Sequence, residues 1–511
     1  MSGPAKVDAQ CITGYKLYSI LFSVLIATIL ISLDVSIIAT AIPAISSQFR
    51  AATDIAWYGA AYSLTMSALQ PLSGKISTIF SLRCSTMFIV GRAVAGIGGA
   101  GVVSGGLSVI ALVTPSTQRP LFTGLAASLY GAGTVIAPII GGAHTSHASW
   151  RWCFLMNFPA GAVTIGTLLF FFHPPKSSSE AIHSRSAWEK IQQVDLLGCA
   201  LFVPSIIMVF LALQWGGDEY AWNSATVIGL FCGFSVSIAL FTLWELRKGN
   251  DAMIPFSLLQ GRSIALSVIF AFLFMGSFAV PVYYLPEWFQ IVKQASPIRS
   301  GVMLFPSVLA QVIGAIVSGV LALRVAAKHI KYYNPWFFLG SAMLCIASGL
   351  YTTFTTSTFS GQWIGFHILQ GLGAGFTAQM SLLTVQNALK EKSQIIPYFG
   401  SSVMQTVAGS IIQNQLVGGL EGRVHLNGTG ITMLLNAGNL RVYETALEEF
   451  PDRAEGIITI YNDAIASVFY LAVAGSALAF VLSAGIEWTN ISQDSPKENV
   501  EKKPAEDQPQ P

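Results

Sequence analysis

The feature that most constrains this chain is a repeated one: mainly apolar runs of about twenty residues recur from Leu21 to Ala484. A bilayer core about 30 Å thick is crossed by about 20 apolar residues in α-helix. Backbone in lipid must satisfy its own hydrogen bonds, so such runs fold as spanning helices. Of 511 residues, 53% are hydrophobic and only 10% are charged, against about 25% charged in a soluble domain. The formal net charge is +2, and Lys and Arg gather in short connections. That excludes a nucleic-acid surface and leaves the lipid bilayer as the partner.

Candidate spans fall near 18–42, 55–73, 87–113, 121–143, 152–172, 195–214, 224–244, 263–288, 300–322, 334–353, 361–386, 395–419 and 464–485. The first follows Lys6 and Lys16 but continues past signal-peptide length to Ile42, and is read as an uncleaved span. Basic residues occupy alternate connections: Arg119; Lys176, Arg185 and Lys190; Arg247, Lys248 and Arg262; Arg324, Lys328 and Lys331; Lys390 and Lys392. The positive-inside rule makes these cytoplasmic, with Lys293 and Arg299 diluting the contrast.

The expected organisation is a cytoplasmic tail (1–17), an N-terminal bundle (18–172), a linker with a two-span insert (173–262), a C-terminal bundle (263–488) and a solvated cytoplasmic tail (489–511). A hydrophilic outer loop at 421–463 carries Asn427-Gly428-Thr429, an N-glycosylation acceptor pattern. The tail has too few apolar residues to order itself.

Charges inside spans are functional hypotheses by default. Asp34 lies within the first run, and either cycles a proton or braces neighbouring helix ends. Arg92 opens a glycine-rich run, where a guanidinium needs a wet cavity or a carboxylate, for proton relay or as a clamp. Gly133, Pro138, Gly141 and Gly142 interrupt one helix and favour a hinge. Tyr283, Tyr284 and Glu287, with Gln370 and Gln379 on a glycine-spaced run, are candidates to line a substrate cavity, although Glu287 also reads as an interface carboxylate.

Asp195, Asp218 and Glu219 read as interface or surface charges, and the seven histidines fall mostly in loops. Six cysteines without a CxxC pair suggest neither a disulfide framework nor a metal site. No HExxH, Ser/His/Asp order or phosphate-cradling GxxxxGK[ST] occurs, so neither an enzyme nor an ATP-driven pump is expected, and no cofactor.

Together these motifs resemble the major facilitator superfamily, in its fourteen-span drug:proton antiporter branch of fungal toxin and multidrug efflux pumps. Leu33-Asp34-Val35-Ser36-Ile37-Ile38-Ala39-Thr40-Ala41-Ile42-Pro43 is similar to that branch's first-span signature. Gly74, Lys75 and Arg83 resemble its gating loop, Arg92 with Gly96 and Gly98 its proton-linked span-four motif, and 133–142 its antiporter motif. Trp150-Arg151-Trp152-Cys153-Phe154, Asn157 and Pro159 match the next segment. Thr78 and Ala137 depart from the pattern, standing where an acidic residue and a glycine are usual.

The resemblance implies an all-α polytopic protein with two six-helix bundles and two linker spans. It also implies proton-coupled efflux of a small hydrophobic compound by alternating access, and a monomer in the plasma membrane or a vacuolar or vesicular one. Uptake of a nutrient or iron chelate and a transport-incompetent remnant are the alternatives. About a dozen residues separate Arg83 from Arg92, where the family places a whole third span, so one span is expected to be missing. The parity of charges agrees: Lys75, Arg83 and Arg119 all ask to be cytoplasmic, yet one span joins them.

Overall fold

The computed structural model describes residues 14–49, 149–172, 195–217, 220–249, 261–325, 334–389, 395–437 and 441–486, with scattered helical positions between 98 and 144. Gly74, Lys75, Arg83, Arg92 and Pro138, the segment where a span is expected to be missing, and Asp218 and Glu219 all lie outside the described residues.

The described helices, numbered in chain order, begin with α1 (Tyr15–Phe49), α2 (Trp152–Leu155) and α3 (Asn157–Phe171). The two-span insert is α4 (Leu196–Trp215) and α5 (Ala225–Lys248). The C-terminal bundle comprises α6 (Arg262–Ile291), α7 (Pro297–Met303), α8 (Phe305–Val325), α9 (Asn334–Tyr351), α10 (Ser360–Leu389), α11 (Ile395–Gly422) and α14 (Ala454–Ser483). Two short helices, α12 (Gly428–Ala437) and α13 (Val442–Glu449), precede α14. Among the described residues, seven helices are long and apolar enough to cross a membrane.

Several starts are set by side chains that take up an orphan N–H of the first turn. Asp195 accepts from Gly198 N at 3.1 Å, Ser224 from Val227 N at 3.3 Å and Ser296 from Arg299 N at 3.3 Å. Asn427, exposed at the head of α12, accepts from Gly430 N at 2.9 Å, so the residue of the acceptor pattern also caps a helix.

The predicted outer loop 421–463 is corrected by the structure. It folds into α12, α13, a 3₁₀ turn at Pro451–Arg453 and the first turns of α14, which begins at Ala454 rather than near 464. Ile431, Leu434, Val442, Ala446, Ile457 and Ile458 join the hydrophobic core of the C-terminal bundle. Arg453 donates to the Val424 and His425 carbonyls at 3.0 and 3.2 Å, and Arg423 pairs with Asp463 at 2.8 Å. Polar residues on one face hid an amphipathic helix from a reading by apolar runs.

Helix association in lipid relies on close packing, which small residues permit. On α10 the glycine run does this on two sides. A Cβ on Gly371 or Gly375 would overlap the backbone of α8, at the Ser307 and Gln311 carbonyls, and Gly314 of α8 meets α10 backbone at Leu372 and Gly375. Gly373 approaches Gly340 O of α9 to 2.8 Å by the same measure. Ser318 Oγ also donates to Gly375 O at 3.4 Å. Gly371→Ala is expected to destabilise the bundle by about 1–3 kcal/mol, the range for overpacking a filled interface. Thermal unfolding of the purified protein checks this, and Gly365→Ala, where a Cβ meets open space, serves as the neutral control.

Candidate functional site

In the N-terminal part, α1 carries Asp34 with only 9% of its surface exposed, beside buried Ser32, Leu33 and Ile37. Ser32 Oγ donates to Ile29 O at 2.8 Å, keeping that hydroxyl on its own helix. Gly133, first glycine of the hinge motif, lies directly against this point: a Cβ there would overlap Ser32 Oγ and sit 3.3 Å from Ile29 O. The structure therefore brings the interrupted helix onto α1 within one turn of Asp34. Gly141 and Gly142 are buried further along, and Cys153 Sγ lies 3.9 Å from Gly141 O. Ala137, where the family pattern has glycine, is wholly buried.

The cavity candidates lie on α6 and α10 of the C-terminal bundle. Tyr284 is buried and donates to Gln405 O on α11 at 3.1 Å, and Gly409 faces the same hydroxyl. Tyr283 stacks edge-on to Tyr284 at 5.0 Å, and Tyr283 and Glu287 are half-buried. Gln370 is buried on α10 and accepts from Tyr351 OH at 2.6 Å. Gln379 lies on α10, its side chain outside the described residues.

Sequence reasoning passed over two further polar clusters. Asp195, expected as an ordinary interface charge, is 5% exposed. It receives Trp244 Nε1–H at 2.9 Å and pairs with Lys248 at 3.0 Å, both from the last turns of α5. Burial alone pushes this carboxyl up. Hydrogen bonds from Trp244, Glu245, Gly198 and Lys248 overrule it and hold the pKa at about 2. Glu245 is fully buried beside it, and Gly198 leaves room for both carboxyl groups. Only the alignment of α4 with α5 reveals the clamp, since its partners lie 49 residues apart.

The second cluster centres on His367, which the expectation of loop histidines did not single out. It is 0% exposed inside α10. Nearby, Trp288 Nε1 donates to Asn462 Oδ1 at 2.9 Å, and Asn462 Nδ2 donates to Phe354 O at 3.0 Å. Lys293, whose charge blurred the inside-outside pattern, lies just past α6, donates to Thr356 O at 2.7 Å and sits 5.3 Å from the Trp288 ring. Partial burial lowers its pKa.

Comparison with known proteins decides the family. The Major Facilitator Superfamily profile matches residues 84–412. The chain belongs to the major facilitator superfamily. It is a multi-pass membrane protein of a transporter family, not an enzyme. The MFS-type transporter poxA of Penicillium oxalicum is 41% identical, covering 97% of this chain and 92% of its own. The MFS-type efflux pump MFS1 of Arthroderma benhamiae is 38% identical, covering 94% and 93%. The efflux pump aflT of Aspergillus parasiticus is 34% identical, covering 94% and 98%. The alignment with poxA runs over 531 positions, at least 20 more than this chain's 511 residues. That relative thus has residues this major facilitator lacks, in at least the amount of one span.

Two outcomes follow from the geometry. Gly133→Ala is expected to lower transport about tenfold, equivalent to about 1.4 kcal/mol, and adding Ser32→Ala is expected to restore part of it; initial transport rates of the single and double variants check the pairing. Asp195→Asn is expected to destabilise the insert by about 2 kcal/mol, less than the ~3–5 kcal/mol of a fully enclosed pair, because Lys248 keeps 22% of its side chain in solvent. The depressed pKa means the contribution is complete above the unfolded carboxyl's value near ~4 and is lost only as pH falls through about 2. The cost should therefore be equal at pH 5 and pH 8, read from the temperature at which buried Cys199 becomes reactive to a thiol dye.

Proposed function

We propose that this major facilitator exports a small hydrophobic compound, a fungal secondary metabolite, toxin or drug, and that proton entry drives the export by alternating access. The observation that carries the reading is that relatives named efflux pumps, 38% and 34% identical, extend over 94% of the chain. Asp34 supports the proton limb: a carboxylate enclosed in a spanning helix is costly unless it is paired, hydrated or protonated, so its charge state is tied to the state of the surrounding helices. The hinge glycine at 133 touches the same turn region, which couples a change in one helix to the environment of the other. Arg92 and the loop of Gly74, Lys75 and Arg83 complete the proposed coupling and gating set. Tyr283, Tyr284, Glu287, Gln370 and Gln379 are the proposed substrate-side residues. The carrier acts as a monomer in the plasma membrane in this reading, and Asn427 carries a glycan on the outer side.

One observation favours a second reading, a transport-incompetent remnant: the poxA alignment requires residues that this chain lacks. Uptake of fluorescent hydrophobic dyes into inside-out vesicles separates the two. An inside-acid gradient is expected to drive accumulation, a protonophore to abolish it, and Asp34→Asn to lower it by about tenfold or more. Dye movement that ignores the gradient would remove the proton from the mechanism; no movement of any dye would favour the remnant.

A further inference from the structure

His367, Tyr351 and Gln370 meet where α9 and α10 face the interior of the C-terminal bundle. His367 Nδ1 lies 2.7 Å from Trp363 O, a carbonyl that can only accept, so the ring proton is on Nδ1. Tyr351 OH lies 3.3 Å from the same nitrogen and sends its own proton to Gln370 Oε1 at 2.6 Å. This assignment leaves two atoms over. His367 Nε2 is a bare lone pair and Gln370 Nε2 a bare amide donor, and neither has a hydrogen-bond partner. Both side chains are at least 99% buried, at 0% and 1% exposure, and they stand three positions apart on one helix, hence on neighbouring positions of one face.

Buried polar atoms are rarely left unmade, and internal waters typically fill such gaps. A bare acceptor beside a bare donor is complementary to one molecule that offers both functions. Water can donate one O–H to the imidazole and accept from the amide. The surrounding rings, Phe289 of α6 at 5.8 Å, Tyr351 of α9 at 5.5 Å and Trp363 of α10 at 5.6 Å, supply the apolar wall. Among these neighbours Tyr351 is the titratable group facing the imidazole, and Glu287 of α6 bears instead on Tyr284 and Tyr461.

We propose that His367 and Gln370 hold a single buried water between them, and that through this water the wholly enclosed imidazole exchanges protons with solvent. The transfer balances simply: the water receives a proton from the solvent side and passes one to Nε2, remaining H₂O. The resulting imidazolium keeps both N–H groups bonded, one to Trp363 O and one to the water. Use of this site in transport rests on the proton-coupled reading given above; its existence does not.

Deuterium uptake at the imidazole Cε1–H, read histidine by histidine by mass spectrometry on the full chain in lipid nanodiscs, tests the site without any transport measurement. The expected result is that His367 exchanges within about tenfold of the rate of exposed His425, although it is enclosed. Gln370→Leu is expected to slow His367 by at least about tenfold and leave His425 unchanged. A His367 still fully protonated at Cε1 after His425 has exchanged to completion would overturn the proposal on the unmodified protein alone. So would a Gln370→Leu variant, folded by its thermal transition, in which His367 exchanges at the original rate.

Discussion

The constraint on which this structure depends is that lipid offers backbone and side chains no hydrogen-bond partners. Helix formation answers it for the main chain and leaves the spans nothing but packing and interhelical polar contacts with which to find one another. Gly371, Gly373 and Gly375 bring α10 into backbone contact with α8 and α9. Such contact multiplies weak dispersion terms and lets Ser318 reach a carbonyl on the opposing helix. A leucine-rich face would be equally at home in lipid and would specify no neighbour. The small residues are therefore what choose the arrangement.

Polar side chains inside the bundle follow the same rule with the opposite sign. Trp288, Asn462 and the Phe354 carbonyl form a closed chain linking α6, α14 and the turn after α9. Asp195 closes one end of the insert by taking a cap, an indole and an ammonium at once. Each is costly if left incomplete, which makes it specific: one partner satisfies it and slid registers do not. Tyr351, His367 and Gln370 close among themselves only in part, leaving His367 Nε2 and Gln370 Nε2 over. What sets this site apart is that its unmatched acceptor and unmatched donor stand three positions apart on one helix, where a single small molecule can meet both.

Several helix positions among the described residues were legible from apolar runs: 195–214 corresponds to Leu196–Trp215, 361–386 to Ser360–Leu389 and 334–353 to Asn334–Tyr351. The reason is physical, since length and hydrophobicity are local and the bilayer imposes both. The start of α14 was not legible, because Glu455, Asn462 and Asp463 lie among its first turns and their acceptability depends on Arg423 and Trp288 elsewhere in the chain. The same holds for the site. Asp34 announced itself as a charge in an apolar run, and Gly133 as a break in one. His367 and Asp195 did not, because what distinguishes them is a partner 16 or 49 residues away.

The charge parity of the sequence conflicts in one place, and the described contacts of α1 show what is built around it. Lys75 and Arg83 ask for the side of the membrane that Arg119 also asks for, and the family profile begins to match only at residue 84. If the shortfall disordered the whole first bundle, the hinge motif would have no reason to meet α1. Yet Gly133 packs on Ser32, Gly106 faces Val24, and α1 shares a hydrophobic cluster with Ile110, Val113 and Ala126. These contacts join segments on both sides of the shortfall. They leave α1 and the described positions between 98 and 144 mutually fitted, so the surroundings of Asp34 are set by direct packing of the hinge motif on its own helix.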